Sequence, residues 1–251
     1  MHLRSNHDYP SRRSAVLADN MVVTSHPLAA QAGLSMLAQG GNAVDAALAT
    51  AIALTVLEPT GNGIGSDAFA ILWDGSELHG LNASGRAPAA WNAARFAGLD
   101  EMPFRGWESV TVPGAVSSWV ALSDRFGKLP FETLFAPAIR YATDGFPVTP
   151  IIAALWQRAA LELGDQPGFA ETFMPQGRAP QAGEYFASPG HARTLRLIAQ
   201  TKGRAFYEGE IAEEIADFAA KHGAALSLED LARHQPDWCG TISKPFDGVT
   251  L

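Results

Sequence analysis

One arginine stands in a loop whose composition suits ligand binding. Residues 82–88 read Asn-Ala-Ser-Gly-Arg-Ala-Pro, which places Arg86 just after a predicted strand. A guanidinium can hold a carboxylate through two parallel hydrogen bonds, so Arg86 is a candidate for binding an anionic substrate. It could equally form a structural ion pair, and the spacing does not separate the two uses. Asn82 and Ser84, on the same loop, are the other candidate substrate-binding residues.

Other catalytic patterns are weak in this sequence. Residues 61–65 read Gly-Asn-Gly-Ile-Gly, but a predicted helix precedes them and a strand follows, the reverse of a nucleotide-binding loop. No serine lies in a Gly-x-Ser-x-Gly elbow, and no two of the seven histidines form a His-x-x-x-His pair. Cys239, beside Trp238 on a predicted loop, is expected to be a packed thiol. We therefore expect no metal, no cofactor and no catalytic residue within this chain.

Composition excludes several classes of protein. The formal net charge of −8 lacks the basic stripe that nucleic-acid binding needs. A single cysteine leaves no internal disulfide. Residues 1–20 carry charges throughout and show no signal peptide, and the longest apolar stretch, residues 43–57, is short of a membrane span. A cytoplasmic protein with neither nucleic acid nor membrane as a partner is predicted.

Local signals predict how the N-terminal part positions this loop. A strand is expected over 22–25, followed by helices over 28–39 and 43–57, the second capped by Asn42 with Asp45 in its first turn. The helix over 43–57 is apolar on almost all faces and should be buried. Strands over 69–73 and 78–81 should form a hairpin. Two helices followed by a hairpin favour an α+β fold, with helices layered on an antiparallel sheet.

The rest of the chain is predicted to be mainly helical. A helix should also start at Ser227, with Asp230 as its capping partner. Residues 164–189 should be a long surface loop, and residues 241–251 a strand. Residues 1–20 are expected to be an N-terminal arm, and residues 21–251 the folded domain. The further helices are predicted over 116–126, 134–142, 151–163, 193–201 and 211–222.

Many segments, in one order, resemble the large-subunit portion of the γ-glutamyltranspeptidase family, which belongs to the N-terminal nucleophile hydrolases. The resemblance covers nearly all of residues 15–251. The loop around Arg86 is most similar to the branch that holds oxamate amidohydrolase and cephalosporin-acylase-like members. The matching segments are 21–29, 40–47, 58–63, 112–116, 126–130, 142–146, 206–209 and 228–231.

The resemblance implies a fold and a mechanism that this chain would only partly contain. The fold would be a four-layer αββα sandwich, incomplete in this chain. The precursor would cleave itself before a threonine beyond residue 251, and that threonine, as the N-terminus of a small subunit, would be the nucleophile. The expected partners are therefore the small-subunit chain and a small amide or γ-glutamyl substrate. Residues 1–251 alone are expected to be inactive.

One departure bears on the substrate. In members that handle γ-glutamyl groups, the arginine for the substrate α-carboxylate stands two residues before Arg86, where this chain has Ser84. Three readings stay open. The chain would belong to a γ-glutamyltransferase-like hydrolase or acyltransferase, to an amidohydrolase of a small non-glutamyl amide such as oxamate, or to a non-catalytic fragment or pseudoenzyme that packs with a partner.

Overall fold

The computed structural model describes residues 16–250, so most of the predicted N-terminal arm lies outside the described residues. The described chain is a mixed helix and sheet fold, as predicted. The α-helices are α1 (Pro27–Ala38), α2 (Ala43–Leu57), α3 (Ala115–Phe126), α4 (Ala136–Asp144), α5 (Pro150–Leu163), α6 (Phe169–Phe173), α7 (Pro189–Thr201), α8 (Arg204–Glu208), α9 (Glu210–Lys221) and α10 (Leu228–Ala232). The strands are β1 (Ala68–Trp73), β2 (Leu78–Ala83), β3 (Phe146–Pro147), β4 (Tyr185–Phe186), β5 (Asp237–Cys239), β6 (Pro245–Phe246) and β7 (Val249–Thr250).

The main sheet has three antiparallel strands in the order β1-β2-β5. The predicted hairpin of β1 and β2 is confirmed. The prediction that Cys239 is a packed thiol on a loop is wrong, because it ends β5 and is exposed. A three-residue strand has too few residues to show an alternating pattern, so it forms only because β2 supplies hydrogen-bonding partners.

The two faces of this sheet differ in what covers them. In β1, Ala68, Ala70 and Leu72 pack against the main hydrophobic core on the helical side. The alternate residues Phe69, Ile71 and Trp73 point the other way and are 70%, 76% and 60% exposed. Successive side chains of a strand point to opposite faces, so β1 presents an apolar stripe with no cover among the described residues.

The most apolar helix, α2, is confirmed as buried. Asn42 accepts hydrogen bonds from the backbone of Val44 and Asp45, and Asp45 accepts one from Asn42, which forms the predicted capping box. The helix packs against α1, α3 and α4. It therefore lies among helices, while α3 contacts the sheet directly. Within residues 16–250, no helix is long and apolar enough to cross a membrane.

Two predicted strands are wrong. Residues 22–25 form no strand, and Val22, Val23 and Thr24 line a cavity together with residues of α2. Residues 241–250 form two short paired strands, β6 and β7. The turn between them consists of Asp247 and Gly248, both with positive φ, and it folds the segment back on itself.

The other predicted helices form, with small differences at their ends. The helix expected over 134–142 is divided into a 3₁₀ turn, Phe131–Phe135, and α4. The expected surface loop 164–189 contains the short α6 and β4. The Ser227 and Asp230 capping box at α10 is confirmed.

Candidate functional site

The end of β2 and the loop that follows it carry all three sequence-predicted site residues: Asn82 is in the strand, and Ser84 and Arg86 are in the loop. The Asn82 Oδ1 accepts hydrogen bonds from the Ser84 backbone N–H at 2.9 Å and from the Ser84 hydroxyl at 2.8 Å. Ser84 is therefore held by the Asn82 side-chain oxygen. The exposed side chain of Arg86 makes no salt bridge and no hydrogen bond with any residue of 16–250. The structural ion pair considered from the sequence is not found in this part of the chain.

A backbone contact that only glycines permit holds this loop in place. The Val112 N–H donates to the Arg86 carbonyl oxygen at 3.1 Å. A Cβ atom on Gly85 would lie 1.4 Å from the Val112 carbonyl oxygen, and one on Gly114 would lie 1.7 Å from that of Ala83. Glycine is thus required at both positions for the two backbone segments to approach. The approach fixes where Arg86 leaves the sheet.

Two carboxylates tie the same loop to neighbouring elements. Asp67, just before β1, accepts a hydrogen bond from the Gly85 N–H at 2.9 Å. Asp230, whose other oxygen completes the α10 capping box, accepts one from the Ala89 N–H at 2.9 Å. The loop is therefore anchored on both sides of Arg86, and the arginine itself is left without a described partner.

Arg86 borders a cavity of about 560 Å³ between this loop and the segment that joins α10 to β5. Arg233, His234 and Asp237 are also in its wall. Arg233 pairs with Glu229 one turn earlier in the chain, so its charge is already balanced. Within residues 16–250, the guanidinium of Arg86 is therefore the positive group of this cavity that can pair with a ligand.

His234 is held beside this cavity by two contacts that the sequence did not reveal. Its Nε2 lies 3.0 Å from the Ser117 hydroxyl oxygen, which itself donates to the Gly114 carbonyl at 2.7 Å. We assign the hydroxyl proton to the shorter of these contacts, the one with the carbonyl, so Nε2 carries the imidazole proton and donates it to Ser117. The Tyr207 ring stacks on the imidazole, with ring centroids 5.4 Å apart.

Burial favours the neutral form of this imidazole. Burial lowers the pKa of His234, the charge of Arg86 lowers it further, and Asp67 and Asp237 oppose the shift. Burial also raises the pKa of the neighbouring Tyr207 to about 12, so the phenol keeps its proton. Tyr207 therefore adds no charge behind Arg86, and the charged groups of the cavity wall are Arg86, Arg233, Asp230 and Asp237.

The Ser117 and His234 pair does not have the arrangement of a catalytic dyad. A serine nucleophile gives its proton to the histidine, whereas Ser117 gives its proton to a carbonyl and is buried. No residue of 16–250 accepts from or donates to the Nδ1 of His234, so no third group orients the ring for catalysis. The two residues are 117 positions apart, and no sequence signal joins them.

A group of possible metal ligands at the tip of the hairpin has another explanation. One ligand atom each from Asp74, Glu77 and His79 lie within 4.8 Å of one another. Asp74 already caps the turn by accepting from the Ser76 and Glu77 backbone. Arg125 lies 3.3 Å from the His79 Nδ1, so that nitrogen accepts and Nε2 donates to Asp74. The protonated Nε2 therefore offers no lone pair to a cation.

Comparison with known proteins identifies the family. A sequence model described as gamma-glutamyltranspeptidase matches residues 29–251. The chain is 34% identical over 242 residues to the glutathione hydrolase-like proenzyme YwrD of Bacillus subtilis, covering 95% of this chain and 46% of that protein. It is 38% identical over 246 residues to the oxamate amidohydrolase proenzyme of Klebsiella pneumoniae, with the same coverage of 95% and 46%.

Solved structures agree in fold. The cephalosporin acylase of Bacillus halodurans superposes with a TM-score of 0.92 at 51% identity, covering 100% of this chain and 48% of that one. The γ-glutamyltranspeptidase of Helicobacter pylori gives 0.90 at 26% identity, covering 95% and 70%. The chain spans about half the length of the curated relatives it matches. It belongs to the γ-glutamyltranspeptidase family and represents the family's large-subunit portion.

Proposed function

We propose that this chain is the large-subunit part of an amide hydrolase whose nucleophile is the N-terminal threonine of a small-subunit partner. Membership of the family supports this proposal, and so does the similarity to proteins named as proenzymes. In the described residues, the one serine-histidine pair at the candidate site is not arranged for nucleophilic attack. The chain supplies the binding wall, and the partner supplies the reacting hydroxyl.

The observation that carries this proposal is the uncommitted guanidinium of Arg86 at the edge of a cavity. A fixed arginine without an ion-pair partner favours an acyl donor that bears a carboxylate. Ser84, which stands where γ-glutamyl-handling members have their arginine, is engaged with Asn82. The donor we propose is therefore a small anionic amide other than a γ-glutamyl compound, with oxamate as the first candidate.

The exposed face of the sheet supports a partner that adds a second sheet. Phe69, Ile71 and Trp73 form its apolar part, and the register places Asn82 opposite Phe69 and Asp237 opposite Asn82 on the same face. A sheet packed on this face would bury the apolar stripe. It would complete a four-layer αββα sandwich, with the polar end of the face beside the Arg86 cavity. A nucleophile at that end could reach the bound amide.

The test uses this chain assembled with the partner that carries the threonine. Wild-type protein should hydrolyse oxamate faster than γ-glutamyl-p-nitroanilide. Arg86→Ala should lower kcat/KM for the anionic amide by about 30-fold, the loss of one charge-assisted pair, and Arg86→Lys should recover only part of it. Autocleavage should be unchanged in both variants. Arg158→Ala, on the exposed side of α5, is the matched control.

Two results would contradict the proposal in different ways. An assembled wild-type protein that turns over no amide would favour a non-catalytic subunit. An active protein whose kcat/KM for anionic amides does not change in Arg86→Ala would leave the family assignment intact and remove Arg86 from the binding site.

A further inference from the structure

One nitrogen of His234 has no hydrogen-bond partner among the described residues. A fully buried side-chain polar atom without a hydrogen bond is found, among the described residues, at the Nε2 of His26 and not at His234. The Nδ1 of His234 also has no described partner, so it must be reached from a cavity or from solvent. His234 is in the wall of the Arg86 cavity. His234 also lines a second cavity, which Ser117 and Tyr207 line and Arg86 does not. Because Nε2 is turned to Ser117, we assign Nδ1 to the side of the Arg86 cavity.

The chemistry of this nitrogen follows from the contact on the other side of the ring. Nε2 donates to Ser117, so in the neutral imidazole Nδ1 carries a lone pair and can only accept. Arg86, across the same cavity, can only donate. Ser117 and the stacked Tyr207 hold the ring in one orientation. The cavity therefore offers a fixed acceptor and a cation to one ligand.

We propose that His234 is a specificity-determining residue, which accepts a hydrogen bond through Nδ1 from an N–H of the acyl donor while Arg86 binds its carboxylate. The inference rests on the proposed function. The class of donor it selects is a small molecule with a carboxylate and an N–H group close together, such as a primary amide of a dicarboxylic acid. Donors that have the carboxylate but no N–H lose this contact.

The negative groups nearby agree with this selection. Asp67 and Asp237 both act on the imidazole of His234. Their charges favour a ligand that turns its N–H side towards His234, and they disfavour one that turns a second anionic group there. The carboxylate of the ligand is then directed to Arg86.

Two amide variants separate the nitrogens of His234. Glutamine can place an amide N–H near the position of Nε2 and so keep the contact with Ser117, but it has no atom at the position of Nδ1. Asparagine can place an amide oxygen near the position of Nδ1, but it loses the hydrogen bond to Ser117. The probes are oxamate and N,N-dimethyloxamate, which keeps the carboxylate but lacks the N–H. Their dissociation constants are measured on the assembled two-chain protein.

Wild-type protein should bind oxamate about fivefold more tightly than its dimethyl analogue, the usual worth of one neutral hydrogen bond. His234→Gln should remove this preference, and His234→Asn should keep part of it. Arg86→Ala should weaken both probes. In nitrogen-15 NMR spectra, the unprotonated Nδ1 resonance of His234 should shift on addition of oxamate and not of the dimethyl analogue.

Two outcomes would overturn the inference. One is a preference for oxamate that survives in His234→Gln, and the other is an Nδ1 resonance that oxamate does not move. If the enzyme still hydrolyses amides, either result refutes the role of His234 and leaves the proposed function in place. Loss of all amide turnover in the wild-type protein would instead remove the proposed function.

Discussion

Acid should destabilise this protein through His191, a histidine that folding partly buries. His191 lies in the first turn of α7, with its Nε2 3.4 Å from the Thr55 hydroxyl oxygen of α2. Burial lowers its pKa to about 4 from an ordinary value of 6.5. The unfolded chain therefore takes up a proton that the folded chain refuses, and the stability present above pH 6.5 is lost as the pH falls towards 4.

The size of the loss follows from these two pKa values. Proton uptake by the unfolded chain alone removes about 2 kcal/mol of unfolding free energy at about pH 5, and roughly 3 kcal/mol by about pH 4. His26, whose pKa burial also lowers against an opposing effect of Glu58, adds to the loss in the same direction. Two kcal/mol is a large share of the stability of an ordinary domain.

The assay is urea denaturation at about pH 7 and about pH 5, on the wild-type protein and on His191→Leu, which fills a similar volume and cannot titrate. The pH-dependent loss in the variant should be smaller than that of the wild type by about 2 kcal/mol. His222→Gln, at the exposed end of α9, should show the wild-type loss. Equal losses in wild type and His191→Leu would refute the argument that burial of this imidazole causes the acid sensitivity.

Three further predictions concern the frame and surface of the site. Gly114→Ala should unfold the protein or lower its free energy of unfolding by more than about 4 kcal/mol, because the added Cβ would overlap a backbone oxygen. Gly61→Ala, whose Cβ would meet no atom, should lower it by less than about 1 kcal/mol, as measured by thermal denaturation. Asp45→Ala should lower the free energy of unfolding by about 3 kcal/mol, because the backbone N–H groups of Asn42, Lys128 and Leu129 lose their acceptor. Asp144→Ala, at the exposed end of α4, is the control, and equal melting temperatures of the two variants would contradict the prediction. Ile71→Asp should leave the melting temperature of the isolated chain within error but prevent co-elution with the small-subunit partner, whereas Leu161→Asp, on the exposed side of α5, should change neither property; co-elution of Ile71→Asp would refute a partner on this face.

The parts of the fold that the sequence predicted are those with local causes. The capping boxes at Asn42 and Ser227 depend on residues three positions apart, and both formed as expected. Strand β5 depends on a partner more than 150 residues away, so its three residues gave no pattern of their own. The Asp-Gly pair at 247–248 was a turn signal within the predicted final strand, and it decided the outcome there.

In the candidate site, too, some residues could be recognised along the sequence and others only once the fold brings them together. Composition and family resemblance led to Arg86, because an arginine in a loop after a strand can be recognised along the chain. His234 acquires its role only when Ser117, from a different helix, comes within 3.0 Å. Similarly, the two hydrogen bonds that Ser84 donates to Asn82 are a property of the turn geometry and not of the residue types.

The exposed end of β5 gives this protein a built-in chemical reporter. Cys239 is the single cysteine of the sequence, and it lies opposite Gly80, in register with Ile71 on the uncovered face of the sheet. A Cβ atom on Gly80 would lie 3.1 Å from the Cys239 sulfur, so the missing side chain leaves room for the thiol. A maleimide dye would therefore label one known position without mutagenesis. The labelling rate, followed over time while precursor or partner is present, would measure directly how quickly that face becomes covered.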